Sequence, residues 1–399
     1  MLINTPRQQK KYRSPISNRV KQVSPSGIRK FFDLIASMEG IISLGVGEPD
    51  YATPWHIREA AIFSLEKGYT MYTSNLGMPE LRQELSRYLK QTYDLDYSPD
   101  NELLITVGVS EALDLAMRAI LNPGDEVIIP DPCYVSYNAC VILAGGMPVM
   151  VPTSEENNFE IGAADIEAHI TDKTKAILIG YPANPTGAVM SREKLAQIAE
   201  LARRYDLLVI SDEIYAKLVY GVEHTCFATL PEMRERTILL NGFSKAYAMT
   251  GWRIGYAAAN REIIAALTKI HQYTMLCAPI MGQAAAIEAL KSGENSVNEM
   301  VEDYNRRRMV IVKGLNDIGL SCFEPKGAFY VFPSIKSTGM TSEGFAEKLL
   351  LEEKVAVVPG SAFGQCGEGY VRCCYATSLE DIEEALARMR RFVNKHKKV

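Results

Sequence analysis

The sequence lacks several features that mark common classes of protein. No CxxC pair occurs among its eight cysteines, and its five histidines stand apart from one another along 399 residues. We therefore expect no structural zinc, no other metal site and no disulfide framework. The formal charge of −5, from 43 Lys and Arg against 48 Asp and Glu, offers no positive field for nucleic acid or an anionic membrane.

Long apolar runs and glycine-rich nucleotide motifs are also missing. The N-terminal segment is polar, and no stretch is long enough to cross a bilayer, so we expect a cytoplasmic protein. No GxxxxGK[ST] motif occurs, and Gly45-Val46-Gly47 is followed by Glu48-Pro49-Asp50 instead of a third glycine and a helix start. These absences argue against a P-loop and against a dinucleotide-binding protein.

What is present, between about residues 100 and 260, is an alternation of short apolar runs with amphipathic helical stretches. Hydrophobic residues make up 47% of the chain and charged residues 23%, which is typical of a soluble globular protein. The predicted strands are LLITV (103–107), VIIP (127–130), KAILIG (175–180), LLVIS (207–211) and TILLNG (237–242). This pattern predicts an α/β fold with a mostly parallel sheet that is buried on both faces.

The character of the chain changes after residue 285. A long charged helical stretch (296–319) is followed by the strand-like segments GAFYVFPS, EKVAVVP and GYVRCCYA and by a last helix. We therefore predict a large domain over residues 41–285 and a smaller α+β domain over 286–399, with the N-terminal segment 1–40 joining the smaller one.

Residues that follow the predicted strands are the first candidates for a site, because ligands of open parallel sheets lie beyond the carboxyl ends of the strands. Five segments occupy such positions: Gly108-Val109-Ser110, Pro132-Cys133-Tyr134, Asn184-Pro185-Thr186-Gly187, Asp212-Glu213-Ile214-Tyr215 and Ser244-Lys245. If the fold is as predicted, they converge on one crevice.

Two cations in NGFSKAYAMTGWRIGYA (241–257) suggest chemistry there. Lys245 lies among small residues, where poor solvation lowers the pKa of an amine and makes it available as a nucleophile or Schiff-base partner. The plain alternative is a solvated loop lysine. Arg253 stands between Trp252 and Ile254, where a guanidinium needs a phosphate or carboxylate partner, and the alternative is a structural salt bridge.

The other segments add groups that suit one cofactor. Ser110 opens a predicted helix after a strand, a position that binds phosphate or simply caps the helix. Asp212 follows an apolar run and needs a cationic partner, which a pyridinium nitrogen would provide. Tyr134 could stack on such a ring or pack in the core, and Asn184 and Tyr215 could bond its phenolic oxygen. Collectively these groups indicate pyridoxal phosphate.

The sequence also resembles a known family. The stretches that carry the likeness are LGVGEPD (44–50), YTSNLGMPELR (72–82), TVGVSEALD (106–114), YPANPTG (181–187), ISDEIY (210–215), FSKAYAMTGWRIGY (243–256) and YVR (370–372). In this order and spacing they resemble the class I/II aminotransferases, which are fold-type-I pyridoxal-phosphate enzymes, from about Pro25 to the last helix. The resemblance implies a large domain with a sheet of the seven-stranded type.

The resemblance also implies a function and a set of roles. The enzyme would move an amino group from an L-amino acid to a 2-oxo acid, commonly 2-oxoglutarate, with Lys245 forming the Schiff base and then transferring the proton. Asp212 would pair with the ring nitrogen, Tyr215 and Asn184 with the ring oxygen, and Tyr134 with the ring face. The phosphate would be held by Val109, Ser110, Ser244, Arg253 and, from the neighbouring subunit of a homodimer, Tyr72.

The same resemblance places the substrate. Arg372 would clamp the α-carboxylate together with Asn184 and the Gly47 backbone, in the bidentate geometry that suits arginine, and Ile28 would also contact the substrate. One departure is Gly242, since many family members carry Ser three residues before the lysine. One hydroxyl contact to the phosphate is therefore expected to be absent.

The donor amino acid stays open between alanine, aspartate, aromatic and acetylated diaminopimelate substrates. The aspartate-specific branch uses an extra Arg, yet no Arg occurs between Arg261 and Arg306, and Ser110 stands where another branch has Lys. Arg29 is a candidate substitute for binding a side-chain carboxylate, or else a solvated charge. Tyr273 and Phe329 are candidates for the side-chain pocket.

Three other functions compete with an aminotransferase. A C–S β-lyase or a cyclopropane-carboxylate synthase would use the same cofactor residues, and only the reaction would tell them apart. A transcriptional regulator on this fold would carry an N-terminal DNA-binding domain, for which about 25 residues before the matching region are too few. A nicotinamide dehydrogenase is disfavoured because the glycine fingerprint is missing.

Overall fold

The computed structural model describes residues 14–25 and 38–396. Ile28 and Arg29 lie outside the described residues. The helices are α1 (Asn18–Gln22), α2 (Trp55–Glu66), α3 (Pro79–Tyr93), α4 (Gly108–Ile120), α5 (Ser136–Ala144), α6 (Ala163–Glu167), α7 (Arg192–Arg204), α8 (Arg261–Thr274), α9 (Ile280–Ser292), α10 (Glu294–Ile318), α11 (Ser342–Glu353) and α12 (Leu379–His396). The strands are β1 (Ile42–Ser43), β2 (Leu103–Thr106), β3 (Glu126–Asp131), β4 (Met147–Pro152), β5 (Thr174–Ile179), β6 (Leu208–Asp212), β7 (Thr237–Gly242), β8 (Gly255–Ala258), β9 (Tyr330–Val331), β10 (Val355–Ala356), β11 (Val358–Pro359) and β12 (Val371–Cys374).

In the described part of the chain, seven strands form one large sheet in the order β2-β8-β7-β6-β5-β3-β4. All neighbouring pairs are parallel except those made by β8, which runs antiparallel to both β2 and β7. The central strands of this sheet are apolar and buried because helices cover both of its faces. The predicted α/β fold with a mostly parallel, seven-stranded sheet is confirmed.

Two strands of this sheet were not predicted. Edge strand β4 has exposed and half-buried positions, and β8 has the sequence GYAA, in which only the tyrosine has strong strand propensity. Because β8 is antiparallel, its first residue, Gly255, pairs with Thr106 and Gly242 at the last residues of β2 and β7. The segment before β8 therefore lies at the carboxyl edge of the parallel strands.

Residues from the two ends of the described chain pack together. Strand β1 pairs in parallel with β10, with Ile42 opposite Val355, and β9, β11 and β12 form a small antiparallel sheet. Helices α10, α11 and α12 bury their apolar faces in the same core, which includes Tyr304, Phe345 and Phe392. The predicted domain boundaries at residues 40 and 285 stay predictions.

Among the described helices, none combines the length and the apolar character needed to cross a membrane.

Candidate active site

A cavity of about 390 Å³ lies at the carboxyl edge of the large sheet, between it and the small antiparallel sheet. Its size is that of a small-molecule site. Most of the predicted site residues line it: Gly47, Val109, Ser110, Tyr134, Asn184, Asp212, Tyr215, Ser244, Lys245, Arg253 and Arg372. The five segments that follow predicted strands do converge on one crevice.

Lys245 lies in the turn after β7 and enters this cavity. Its ammonium donates a hydrogen bond of 2.6 Å to the carbonyl oxygen of Gly47. Burial lowers the pKa of the Lys245 ammonium to about 8, so roughly one molecule in ten carries the neutral amine at pH 7. An unperturbed lysine would be neutral in only about 4 molecules in 10,000 at that pH. The site therefore makes this amine available as a nucleophile near neutral pH.

Asp212 is the last residue of β6 and is only 7% exposed. Its carboxylate accepts hydrogen bonds from the Tyr137 hydroxyl at 2.9 Å and from the Ile214 amide at 3.3 Å. Burial raises the pKa of the Asp212 carboxyl to about 6 even though the positive charge of Lys245 lowers it, and within the described residues no cationic side chain is close enough to form an ion pair with it. A protonated ring nitrogen would stabilise this carboxylate and be held protonated by it.

Arg253 lies at the same edge because β8 is antiparallel. Its guanidinium donates to the Thr250 carbonyl oxygen at 2.9 Å and, within the described residues, makes no ion pair with a carboxylate. It packs against Gly108, which has a φ of 71° and could not carry a side chain there, since a Cβ would overlap the guanidinium. Val109 and Ser110, at the start of α4, line the cavity beside it. Exposed helix N–H groups and an unpaired guanidinium suit a phosphate.

The structure gives a reason for glycine at position 242, where the family resemblance led us to expect serine. A Cβ there would lie 2.9 Å from the Gly255 Cα and 3.0 Å from the Ile254 carbonyl oxygen. Those distances are too short for an unstrained side chain, so the close approach of β8 requires glycine. The missing hydroxyl is thus linked to local packing.

Arg372 lies in β12 on the opposite wall and is 3% exposed. Its terminal nitrogens donate to the Asn184 Oδ1 at 2.9 Å and to the Gly45 carbonyl oxygen at 2.8 Å. Its buried Nε has no partner among the described residues. A buried unpaired N–H is costly, so this wall is suited to a ligand carboxylate.

Several predicted residues do not reach the cavity. Tyr72, which is predicted to act at the neighbouring subunit's site, is 79% exposed and is not part of this chain's lining, and its role stays a prediction. Tyr273 is 84% exposed, and Phe329 is fully buried behind Tyr215, with ring centroids 5.5 Å apart, so neither lines a side-chain pocket within this chain. Ile28, outside the described residues, stays a prediction.

Among the lining residues that sequence reasoning missed, two tyrosines bond predicted site residues. Tyr137 bonds Asp212, and Tyr330 bonds Tyr215, with 2.8 Å between the hydroxyl oxygens. Tyr137 follows Tyr134 by three residues, and its amide donates to the Tyr134 carbonyl oxygen at 3.0 Å in the turn that leads into α5, so the two ring centroids lie 5.6 Å apart. Tyr330 lies in a segment predicted only as a strand, and no sequence signal placed it opposite Tyr215.

Comparison with known proteins supports an assignment to one family. Residues 39–389 match the family described as aminotransferase class I and II. YugH of Bacillus subtilis (strain 168), which is named as an aminotransferase without a substrate, is 61% identical over 96% of this chain and 99% of its own. The aspartate aminotransferase of Pyrococcus abyssi is 48% identical over 96% of this chain and 99% of its own.

A solved structure agrees with these relatives. The aromatic aminotransferase from Pyrococcus horikoshii is similar with a TM-score of 0.88 and 46% identity, covering 92% of this chain and 99% of that one. The chain therefore belongs to the class I and II aminotransferases. It is a pyridoxal-phosphate-dependent aminotransferase, so the predicted family and the predicted aminotransferase activity are confirmed. The relatives' names differ in substrate, one being aspartate and one aromatic.

Proposed function

We propose that this enzyme moves the amino group of an L-amino acid to a 2-oxo acid, with 2-oxoglutarate as the acceptor, using pyridoxal phosphate held in the cavity that Lys245 enters. The observation that carries this proposal is one cavity with a buried amine, a buried carboxylate and two guanidiniums that lack carboxylate partners among the described residues. Bound pyridoxal phosphate supplies an electron sink for the charge that develops at the substrate Cα.

The ring of the cofactor would lie between the two walls of the cavity. Asp212 would keep the ring nitrogen protonated, and Tyr134 would cover the ring face. Tyr215 and Asn184 would donate to the ring oxygen. Since the Asn184 Oδ1 already accepts from Arg372, its Nδ2 is left to donate to that oxygen.

The phosphate would be bound at the other end of the cavity. The Val109 backbone, the hydroxyls of Ser110 and Ser244, and the Arg253 guanidinium are the groups that suit it. With no hydroxyl at position 242, Arg253 and Ser244 would contribute more of the affinity.

Two groups would act on the substrate. Arg372 would hold the α-carboxylate, so that the Cα–H lies near Lys245, and Gly47 would add its backbone. The Lys245 amine, lowered in pKa by burial, would take the Cα proton and return it at the other end of the conjugated system.

The side-chain end of the substrate needs separate recognition. Within the described lining, the cations are Lys245, Arg253 and Arg372, and the proposal assigns a role to each. A second carboxylate, as in 2-oxoglutarate, would need a group from elsewhere, and we propose Arg29 for this role. The cytoplasmic location expected from the polar N-terminus also stays a prediction.

We further propose a homodimer with shared active sites. Large apolar side chains are exposed on α2 and in the segment that follows it, namely Trp55, Phe63, Met71 and Tyr72. An exposed group of this kind marks a contact surface on soluble proteins. In a symmetric dimer, Tyr72 would reach the phosphate of the neighbouring site.

The shared site predicts complementation between two defective variants. Tyr72→Phe should weaken cofactor binding about 10- to 100-fold, as expected for losing a hydrogen bond to a charged phosphate, and Lys245→Ala should be inactive. Co-expressed, the two chains should form mixed dimers in which one site has both intact residues, restoring up to about a quarter of wild-type sites at limiting cofactor. If Tyr72 acts within its own chain, mixed dimers will regain nothing. A fully active monomer in sedimentation would also contradict the shared site.

The proposed function is tested by absorbance of the purified enzyme with one amino acid at a time. L-Alanine, L-aspartate, L-phenylalanine and L-glutamate should be added separately. A true donor should abolish the visible band of the bound cofactor and release one equivalent of its 2-oxo acid per site, and 2-oxoglutarate should restore the band. No visible band after adding pyridoxal phosphate would contradict the cofactor site. A band that none of the four amino acids abolishes, with release of a thiol, pyruvate and ammonia from an added S-alkyl-L-cysteine, would favour the β-lyase.

A further inference from the structure

Tyr330 has no role in the proposed function, yet it contacts three residues of the candidate site. It lies in β9 and is 1% exposed. Its hydroxyl oxygen is 2.8 Å from that of Tyr215, and its ring lies under the Arg372 guanidinium, with 4.4 Å from Cζ to the ring centroid. It also packs against Gly47, where a Cβ would overlap its hydroxyl. The carbonyl of Gly47 is the acceptor for Lys245.

The proposed role of Tyr215 decides which of the two tyrosine hydroxyls donates the hydrogen bond between them. Geometry alone allows either hydroxyl to donate. A tyrosine hydroxyl has one proton, and in the proposed function Tyr215 would use its proton to bond the ring oxygen of the cofactor. The proton between the two tyrosines therefore comes from Tyr330. A hydroxyl that accepts a bond becomes a better donor, because chains of hydrogen bonds polarise one another.

The aromatic ring of Tyr330 contacts Arg372, on the opposite wall of the cavity from Tyr215's cofactor contact. Arg372 is held in one plane by its bonds to Asn184 and Gly45 and by the rings of Tyr330 and Phe363, the latter at 4.9 Å. A guanidinium over an aromatic face is stabilised without using its N–H groups, so the N–H groups of Arg372 that do not bond Asn184 or Gly45, Nε–H among them, remain available to a carboxylate.

We propose that Tyr330 is a positioning residue for the transamination, acting through the Tyr215 hydroxyl on the cofactor and through the Arg372 guanidinium on the substrate carboxylate. This inference rests on the proposed function. With this role, the small antiparallel sheet contributes Tyr330 to the site in addition to Arg372.

The hydroxyl and the ring can be separated by two substitutions. Tyr330→Phe keeps the ring and removes the donor to Tyr215. Tyr215 would then stabilise negative charge on the ring oxygen of the cofactor less well. The protonated form of the bound cofactor would be favoured, so the visible band would titrate at a higher midpoint pH. The expected rise is about half to one pH unit, and the KM for the amino acid should change less than about threefold. Tyr330→Leu also removes the ring and should raise that KM roughly tenfold.

Tyr375→Phe is the matched control. Tyr375 is fully buried in the same core, and its hydroxyl donates to the Ala328 carbonyl oxygen at 3.0 Å, away from the cavity. The Tyr375→Phe variant should lose stability as Tyr330→Phe does, as judged by thermal unfolding. Its visible band should nevertheless titrate at the same midpoint pH as that of wild type.

The outcomes distinguish this inference from the proposed function. If wild type shows no cofactor band or no half-reaction, the proposed function fails. If wild type is active and Tyr330→Phe shifts the midpoint no more than Tyr375→Phe does, the role of Tyr330 through Tyr215 is wrong. If Tyr330→Leu binds the amino acid as tightly as Tyr330→Phe, the role of the ring is wrong.

Discussion

Lys245→Ala is expected to remain folded and to lose at least about 1,000-fold of its transamination rate, because one substitution removes both the nucleophile and the group that moves the proton. The unfolding temperature of the apoprotein should change by less than about 5 °C, because the lost contacts are offset by removal of a poorly solvated ammonium. The measurements are multiple-turnover rates with the best donor, the absorbance of the bound cofactor and thermal unfolding.

Lys245→Arg tests whether the amine or merely the charge is needed. Arginine keeps a cation near the Gly47 carbonyl, but it is not deprotonated at neutral pH and cannot take a proton. It should be as inactive as the alanine variant. Substantial multiple turnover by either variant would overturn the role assigned to Lys245, whereas a variant that fails to fold would show this in the unfolding curve.

Asp212→Asn is expected to lower kcat/KM by about 100-fold, since a neutral amide cannot hold the ring nitrogen protonated by its charge. The shape of the site should persist, because asparagine can accept from the Ile214 amide with its oxygen and donate from Nδ2 to the Tyr137 hydroxyl oxygen, the two partners that Asp212 bonds through separate carboxylate oxygens. Burial raises the pKa of this carboxyl, so the charged form costs stability at neutral pH. The apoprotein variant should therefore be at least as stable as wild type at pH 7.

The neighbouring residue Glu213 provides a control for this prediction. It is equally buried but points away from the cavity, accepting from the Ser211 hydroxyl at 2.8 Å and the Phe227 amide at 2.9 Å and contacting His224 at 2.7 Å. Glu213→Gln should lose stability, with kcat changed less than about threefold. If Asp212→Asn keeps more than half of the wild-type kcat/KM, Asp212 does not have the role proposed here.

Much of this protein's fold and candidate site could be predicted from its sequence, because both depend largely on short segments of the chain. Apolar runs of five or six residues separated by amphipathic helices indicate parallel strands, and chemistry-bearing residues immediately after such runs must meet at one edge of the sheet. Lys245, Asp212 and Ser110 all lie within three or four residues of a strand end and do line one cavity. Their roles remain predictions until the variants are measured.

Other features depend on which strands become neighbours, and that is decided only in the folded chain. Arg253 enters the site because β8 runs against its neighbours, which no local pattern in GYAA reveals. Tyr137 and Asp212 are 75 residues apart in sequence, and Tyr215 and Tyr330 are 115 apart. Hydrogen bonds between buried hydroxyl and carboxyl groups form where packing brings elements together, so the sequence alone could not place them.

The sequence by itself determined the fold class, the cofactor family and the edge of the sheet at which the site lies. It did so because strand periodicity and the order of the motifs are properties of short segments. Only the tertiary structure decided which tyrosines bond Asp212 and Tyr215, why position 242 is glycine, and that Tyr72 lies outside its own chain's cavity. Each of these depends on distances between segments far apart in the chain, which packing of the whole core sets.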